Sequence, residues 1–231
     1  MKSRSWLAFF IIDAILDLLF VFLKKDELRY FTKPLLIILL FAYCIATIKK
    51  KDKLFFLLLA ALFFSFLGDI FLMFEKQASI FFIFGLIGFL IAHAFYIILF
   101  LQIKKQNLPS EKLNFLIILL IISYTVFLFL LLKPSLGNLK IPVLAYAIVL
   151  SSMFLSSIHA FDFFIQKSGR FCIIGALLFL ASDSLLAINK FYQSFEFSGV
   201  LVMLTYALAQ LLIVIGVTKY INLKSENFNF T

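Results

Sequence analysis

The chain has 231 residues, 64% of them hydrophobic and 14% charged, with a formal net charge of +9 and a mean hydropathy of +1.12. Soluble globular domains are about 45–50% apolar and about 25% charged, so disorder, a fibrous repeat and an ordinary soluble enzyme are excluded. Thirty-three Phe against two Cys, Cys44 and Cys172, both inside apolar runs, exclude a secreted disulfide scaffold and leave an integral membrane protein.

About twenty predominantly apolar residues cross the hydrocarbon core. In chain order the predicted spans cover residues 6–23, 33–48, 54–74, 79–103, 113–132, 141–161, 171–188 and 199–218. The first follows Lys2 and Arg4 as a signal peptide would. It lacks a small-x-small cleavage site and carries Asp13 and Asp17, so it reads as a retained helix. The second opens at Lys33-Pro34 and the sixth near Pro142, both at helix starts, where proline is tolerated. The expected fold is an all-α polytopic bundle of eight spans, one membrane domain over residues 1–231, in the cell (inner) membrane. No connection is long enough for a soluble domain, so any chemistry lies within the bundle.

The positive charge does not indicate nucleic acid. Lys and Arg sit in short clusters between apolar runs, as topology signals do. Thirteen of them fall on the side of the termini and eight on the other, which places both termini in the cytoplasm.

In so apolar a bundle the informative residues are polar ones at membrane depth, which are costly there and normally face the interior. The candidates are Asp13, Asp17, Asp69, His93 and Asp183, with Tyr96, Tyr146, Ser182, Tyr206 and Gln210 as polar neighbours. Asp69 and Asp183 each fall about 7–8 Å below the outer end of spans three and seven, at 1.5 Å per residue. Asp17 lies at a similar level, Tyr206 about 10 Å down, and His93 and Gln210 somewhat deeper. Lys33 opens span two at the outer interface, so these groups can share one outward-facing cavity. Gly68-Asp69-Ile70-Phe71-Leu72 and Ser182-Asp183-Ser184-Leu185-Leu186 are both small-Asp-x-x-Leu, equivalent positions if the chain is a four-plus-four duplication. For a lone Tyr or Ser the plainer reading is a helix–helix hydrogen bond.

Two neighbouring carboxyl groups do not both ionise easily, so one keeps a proton, giving an acid and a base in one site. Such a pair suits hydrolyses passing through an oxocarbenium-like state. There is no G-x-S-x-G elbow, C-x-x-C, H-E-x-x-H or phosphate-loop motif. With only His93 and His159 a three-His zinc site is impossible, and a divalent ion on Asp69, Asp183 and His93 is the lesser alternative. No metal or other cofactor is expected.

Several runs resemble the YhhN-like membrane proteins. They are Arg29-Tyr30-Phe31-Thr32-Lys33-Pro34-Leu35; Leu67-Gly68-Asp69 with Leu72-Met73; and Gly85, Phe89, His93 and Tyr96 in G-x3-F-x3-H-x2-Y spacing. Further on come Gly175 to Phe179 with Ser182-Asp183-Ser184-Leu185-Leu186-Ala187, and Thr205-Tyr206 with Ala209 to Ile213. That family includes the lysoplasmalogenases, eight-span enzymes that hydrolyse the vinyl ether bond of lysoplasmalogen to a fatty aldehyde and a glycerophospho-headgroup. The resemblance implies a lysophospholipid substrate taken from membrane lipid, with Asp69 and Asp183 as the catalytic pair in either order. Lys33 would pair with the phosphate or simply snorkel at the interface, while His93, Tyr96, Ser182, Tyr206 and Gln210 would bind the glycerol or orient an Asp. Asp13 and Asp17 would line the pocket or pair with Lys33. The rival readings are a proton-coupled transporter using the same Asp residues and a non-catalytic lipid-binding protein.

Overall fold

The structure is a computed structural model that describes residues 3–107, 115–163 and 165–227. Its helices are α1 (Ser3–Phe22), α2 (Asp26–Thr47), α3 (Lys53–Met73), α4 (Ser79–Gln106), α5 (Phe115–Leu132), α6 (Lys140–Ala160), α7 (Lys167–Ala187) and α8 (Ser198–Asn227), with no strand among the described residues. All eight are long and apolar enough to cross a membrane. The topology charges Lys2 and Lys112, the Arg4 side chain and the first two residues of predicted span five lie outside the described residues.

Two boundaries depart from the expected spans in ways that matter for the site. Helix α2 begins at Asp26, seven residues before Lys33, so Pro34 lies inside the helix and not at its start. Asp26 and Glu27 suit the first turn because carboxylates complement the positive end of a helix. Asp26 and Glu27 are exposed at this end of the helix, and so polar an opening carries no hydropathy signal. Pro34 has no N–H to offer the carbonyl of Tyr30, a local weakness in α2 beside Lys33. Helix α8 likewise runs past the apolar stretch, because Tyr220 and Ile221 remain buried and Lys224 donates to Gln106 Oε1 at 2.5 Å.

The tightest hairpins are α3–α4 and α7–α8, and both depend on glycine. A Cβ on Gly88 would come within 2.9 Å of the backbone of Gly68, and one on Gly216 within 2.8 Å of the Ser168 carbonyl. Small residues of this kind let membrane helices approach backbone to backbone. Helices α1 and α5 are peripheral, with only 17% of each span buried. Their exposed residues, such as Ile15, Leu120 and Phe127, form an apolar surface suited to lipid.

The two halves repeat in register. Lys53 and Lys167 open α3 and α7, Met73 and Ala187 close them, and these pairs, Asp69 and Asp183, and Tyr96 and Gln210 are each separated by 114 positions. Asp69 is held by its own half's second helix, α2, and the other half's last, α8. Asp183 is held by α6 and α4 in the same crossed manner. The sequence hinted at this only through the two small-Asp motifs.

Candidate active site

At the end of the bundle opposite Ser3 and Asn227, a cavity of about 280 Å³ opens between α2, α3, α7 and α8, and both Asp69 and Asp183 line it. Its apolar wall includes Leu72, Leu186, Val202 and Met203, with the ring of Phe89 reaching in from α4. Behind Phe89 stand Phe179 and Tyr206. Phe89 meets the Tyr206 ring at 5.8 Å and 90°, and Phe179 meets it at 5.5 Å and 84°. These edge-to-face rings form a rigid floor, since the edge of one ring is attracted to the face of the next. At the rim, Lys76 Nζ reaches Asp26 at 2.6 Å and Lys190 Nζ reaches Glu75 at 3.0 Å, tying the loop after α3 to α2 and to the end of α7. The Asp26 carboxylate raises the pKa of the Lys76 ammonium above its ordinary value. Helix α7 closes in a π-helical turn, Ile188–Tyr192, whose Asn189 lines the cavity. Such turns recur at functional sites.

Asp69 touches the cavity but is otherwise buried. Its Oδ1 lies 3.1 Å from Lys33 Nζ, and its Oδ2 accepts from the Tyr206 hydroxyl. The chain of hydrogen bonds continues inward. Gln210 Nε2 donates to Tyr206 at 3.5 Å, and Tyr96 donates to Gln210 Oε1 at 2.7 Å. All are buried, so every link supplies a partner that water does not.

Asp183 is the more accessible carboxylate, with 12% of its side chain exposed against 2% for Asp69. Its Oδ2 accepts from Tyr146 at 2.5 Å and lies 3.2 Å from His93 Nε2. His93 Nε2 is also 3.1 Å from the Tyr146 oxygen. Because the one hydroxyl proton of Tyr146 goes to Asp183, His93 carries its proton on Nε2, facing two oxygen atoms; its buried Nδ1 has no partner. Phe179 packs edge-on against the imidazole at 4.6 Å and 87°. Asp183 has no Lys or Arg partner among the described residues.

The sequence-derived set therefore divides. Asp69, Asp183, Ser182, Lys33 and Tyr206 line the cavity, whereas His93, Tyr96 and Gln210 stand behind it, bonded to a carboxylate or to its partners. The Ser182 hydroxyl donates to the Val202 carbonyl at 3.0 Å and so braces α7 against α8. Lys33 does not sit free at an interface, because the early start of α2 turns it inward onto Asp69. Asp17 does not pair with Lys33. Its Oδ1 accepts from Thr32 at 2.6 Å and lies 3.5 Å from Arg29 Nε. Asp13 is buried and outside the cavity lining. Tyr146 stood among the polar neighbours but outside the ranked site, since nothing local marks a Tyr on α6 as meeting α7. Arg29, which lines the cavity, was read as a topology charge and as part of a family-like run, with no role in the site. Among the described residues no three His, Cys, Asp or Glu converge as metal ligands.

Fold and site together define a polytopic membrane protein with two carboxylates from matching helices on one intramembrane cavity. The chain matches the YhhN family over residues 28–217 and belongs to that family. It is 30% identical over 230 residues to a Mus musculus protein named Lysoplasmalogenase TMEM86B, covering 97% of this chain and 92% of that one. Its Rattus norvegicus counterpart is 29% identical over 97% of this chain and 89% of its own. A Mycobacterium tuberculosis protein named Lysoplasmalogenase is 32% identical over 137 residues, which cover 58% of this chain and half of that protein. No solved structure matches the chain.

Proposed function

We propose that this protein is a lysoplasmalogenase, a membrane hydrolase that cleaves the vinyl ether of a lysoplasmalogen into a fatty aldehyde and a glycerophospho-headgroup. The observation that carries the reading is the pair of carboxylates, Asp69 and Asp183, on one cavity with an apolar wall, in a chain whose relatives bear that name.

Vinyl ethers resist base but hydrolyse once the β-carbon is protonated, because the positive charge is then shared with the ether oxygen as an oxocarbenium ion. In our reading Asp183, the more exposed carboxyl and the one without a Lys or Arg, delivers that proton. Asp69, ion-paired with Lys33, stabilises the oxocarbenium ion and takes a proton from the attacking water. Water's oxygen bonds to the former vinyl carbon attached to oxygen, giving a hemiacetal. Its collapse passes the hemiacetal hydroxyl proton to the departing oxygen, breaks the carbon–oxygen bond and releases aldehyde and glycerophospho-alcohol; the proton gained by Asp69 returns to Asp183 through solvent, so one water is consumed. Tyr146 and His93 fix the orientation of Asp183, and Tyr206, with Gln210 and Tyr96 behind it, fixes Asp69. The apolar wall would take the alkenyl chain.

The chain is read as one membrane domain with its termini in the cytoplasm, which sets the cavity mouth on the opposite face. The test is to incubate purified protein in D2O with a 1-alkenyl lysophospholipid and, separately, its saturated 1-alkyl counterpart, trapping any aldehyde at once. Aldehyde from the alkenyl lipid alone, with one deuterium beside the carbonyl, is expected. Recovery of both lipids intact contradicts the hydrolase reading, and transport of uncleaved lipid would then take its place.

A further inference from the structure

We propose that Arg29, aimed by Asp17 and Thr32, binds the phosphate of the lysolipid headgroup; the inference rests on the lipid-substrate reading above. Four basic residues stand at or beside the cavity mouth, and three of them hold a carboxylate at 3.1 Å or closer. Lys33 is held on Asp69 at 3.1 Å, Lys76 on Asp26 at 2.6 Å and Lys190 on Glu75 at 3.0 Å. Arg29 is different. Its side chain is three-quarters buried and lines the cavity, and its buried Nε has no hydrogen-bond partner. Its nearest carboxylate oxygen, Asp17 Oδ1, faces Nε at 3.5 Å and already accepts from Thr32.

A guanidinium has five N–H donors in a planar fork that matches phosphate oxygens two at a time. A buried N–H with no acceptor is rare, and here it belongs to a guanidinium that lines an open cavity, so the arrangement fits an incoming anion. Asp17, fully buried on α1, stands at the Nε edge of the fork of an arginine that lines the cavity. Asp17 is thus a positioning residue, and this gives a use to a buried carboxylate that the proposed reaction leaves idle.

The spacing also suits the substrate. Arg29 and Lys33 are four residues apart on one face of α2, so Arg29 lies one turn, about 5.4 Å, nearer the mouth than the Lys33–Asp69 pair. Three glycerol carbons and one ester oxygen separate the vinyl ether oxygen from phosphorus, which is also roughly one helical turn. A lysolipid with its vinyl ether at the two Asp residues would bring its phosphate to Arg29.

The test is equilibrium binding to the full chain in detergent, using lipids that cannot be cleaved. The probes are 1-alkyl-glycero-3-phosphoethanolamine, 1-alkylglycerol and inorganic phosphate, each applied to wild type, R29Q, R29K and D17N. Expected is a loss of at least tenfold in affinity for the phospholipid in R29Q, a change of less than twofold for 1-alkylglycerol, and partial recovery in R29K. D17N should fall between wild type and R29Q for the phospholipid only. Equal weakening of both lipids in R29Q, or of neither, overturns the proposal. Equal Arg29-dependent binding of inorganic phosphate and phospholipid overturns the headgroup assignment in favour of a free anion. If R29Q does not fold, R29K binding the phospholipid as tightly as wild type overturns it. Cleavage is not read, so a chain that binds phospholipid through Arg29 but releases no aldehyde contradicts only the hydrolase reading.

Discussion

Replacing Lys33 by Met separates an electrostatic role for this residue from a packing role. The substitution keeps an unbranched side chain of similar length but removes the ammonium 3.1 Å from Asp69, whose side chain is 2% exposed. Removing one partner of a buried ion pair costs about 3–5 kcal/mol, because the other charge stays out of water without compensation. The lower end applies here, since Lys33 touches the cavity and Asp69 keeps its bond from Tyr206. About 3 kcal/mol corresponds to a fall in Tm of roughly 6–12 °C for a chain of this size. Melting is followed by circular dichroism in detergent at pH 8, where proton uptake by the orphaned carboxylate relieves least. The double variant K33M/D69N, which leaves no buried charge, should regain most of the loss. Activity should separate from stability: kcat falls at least a hundredfold in both variants, because Asp69 without its counter-cation takes up a proton and an amide cannot ionise, so both lose the anion that meets the oxocarbenium ion. A K33M protein with wild-type Tm and kcat would refute the ion pair as a working part of the site.

Two other substitutions follow from the same geometry. Y146F deletes the hydroxyl that donates to Asp183 at 2.5 Å and should lower kcat by about tenfold to a hundredfold, with little change in KM; unchanged kcat would remove Tyr146 from the site. G88A places a methyl 2.9 Å from the Gly68 backbone, which cannot yield as a side chain would, so α3 and α4 must part at a cost of about 1–3 kcal/mol. A melt of G88A should show the lower Tm, and a wild-type Tm would mean the hairpin is looser than described.

Much of this architecture is written in hydropathy. Eight apolar stretches became eight helices, because length and composition decide spanning in a bilayer. Asp69 and Asp183 stood out for the same reason: a carboxylate in an apolar run is expensive and so informative. Lys33 and Arg29 were harder to place. They lie in the first turns of a helix that opens on polar residues, and only tertiary packing shows that their side chains line a cavity. Tyr146 was unrankable from its own surroundings, since its partner lies 37 residues away on the next helix. The crossed pairing of the halves, with α8 serving Asp69 and α4 serving Asp183, has no local signature at all.

The most direct test of the central claim is aldehyde release from a defined lysoplasmalogen by purified wild type, D69N and D183N, in EDTA and with folding of each checked by circular dichroism. Asn keeps the shape of each side chain and removes its acid–base chemistry. Release by wild type, with at least a thousandfold loss in each variant, is the expected result. Full turnover by either folded variant would contradict a two-carboxylate mechanism in this cavity.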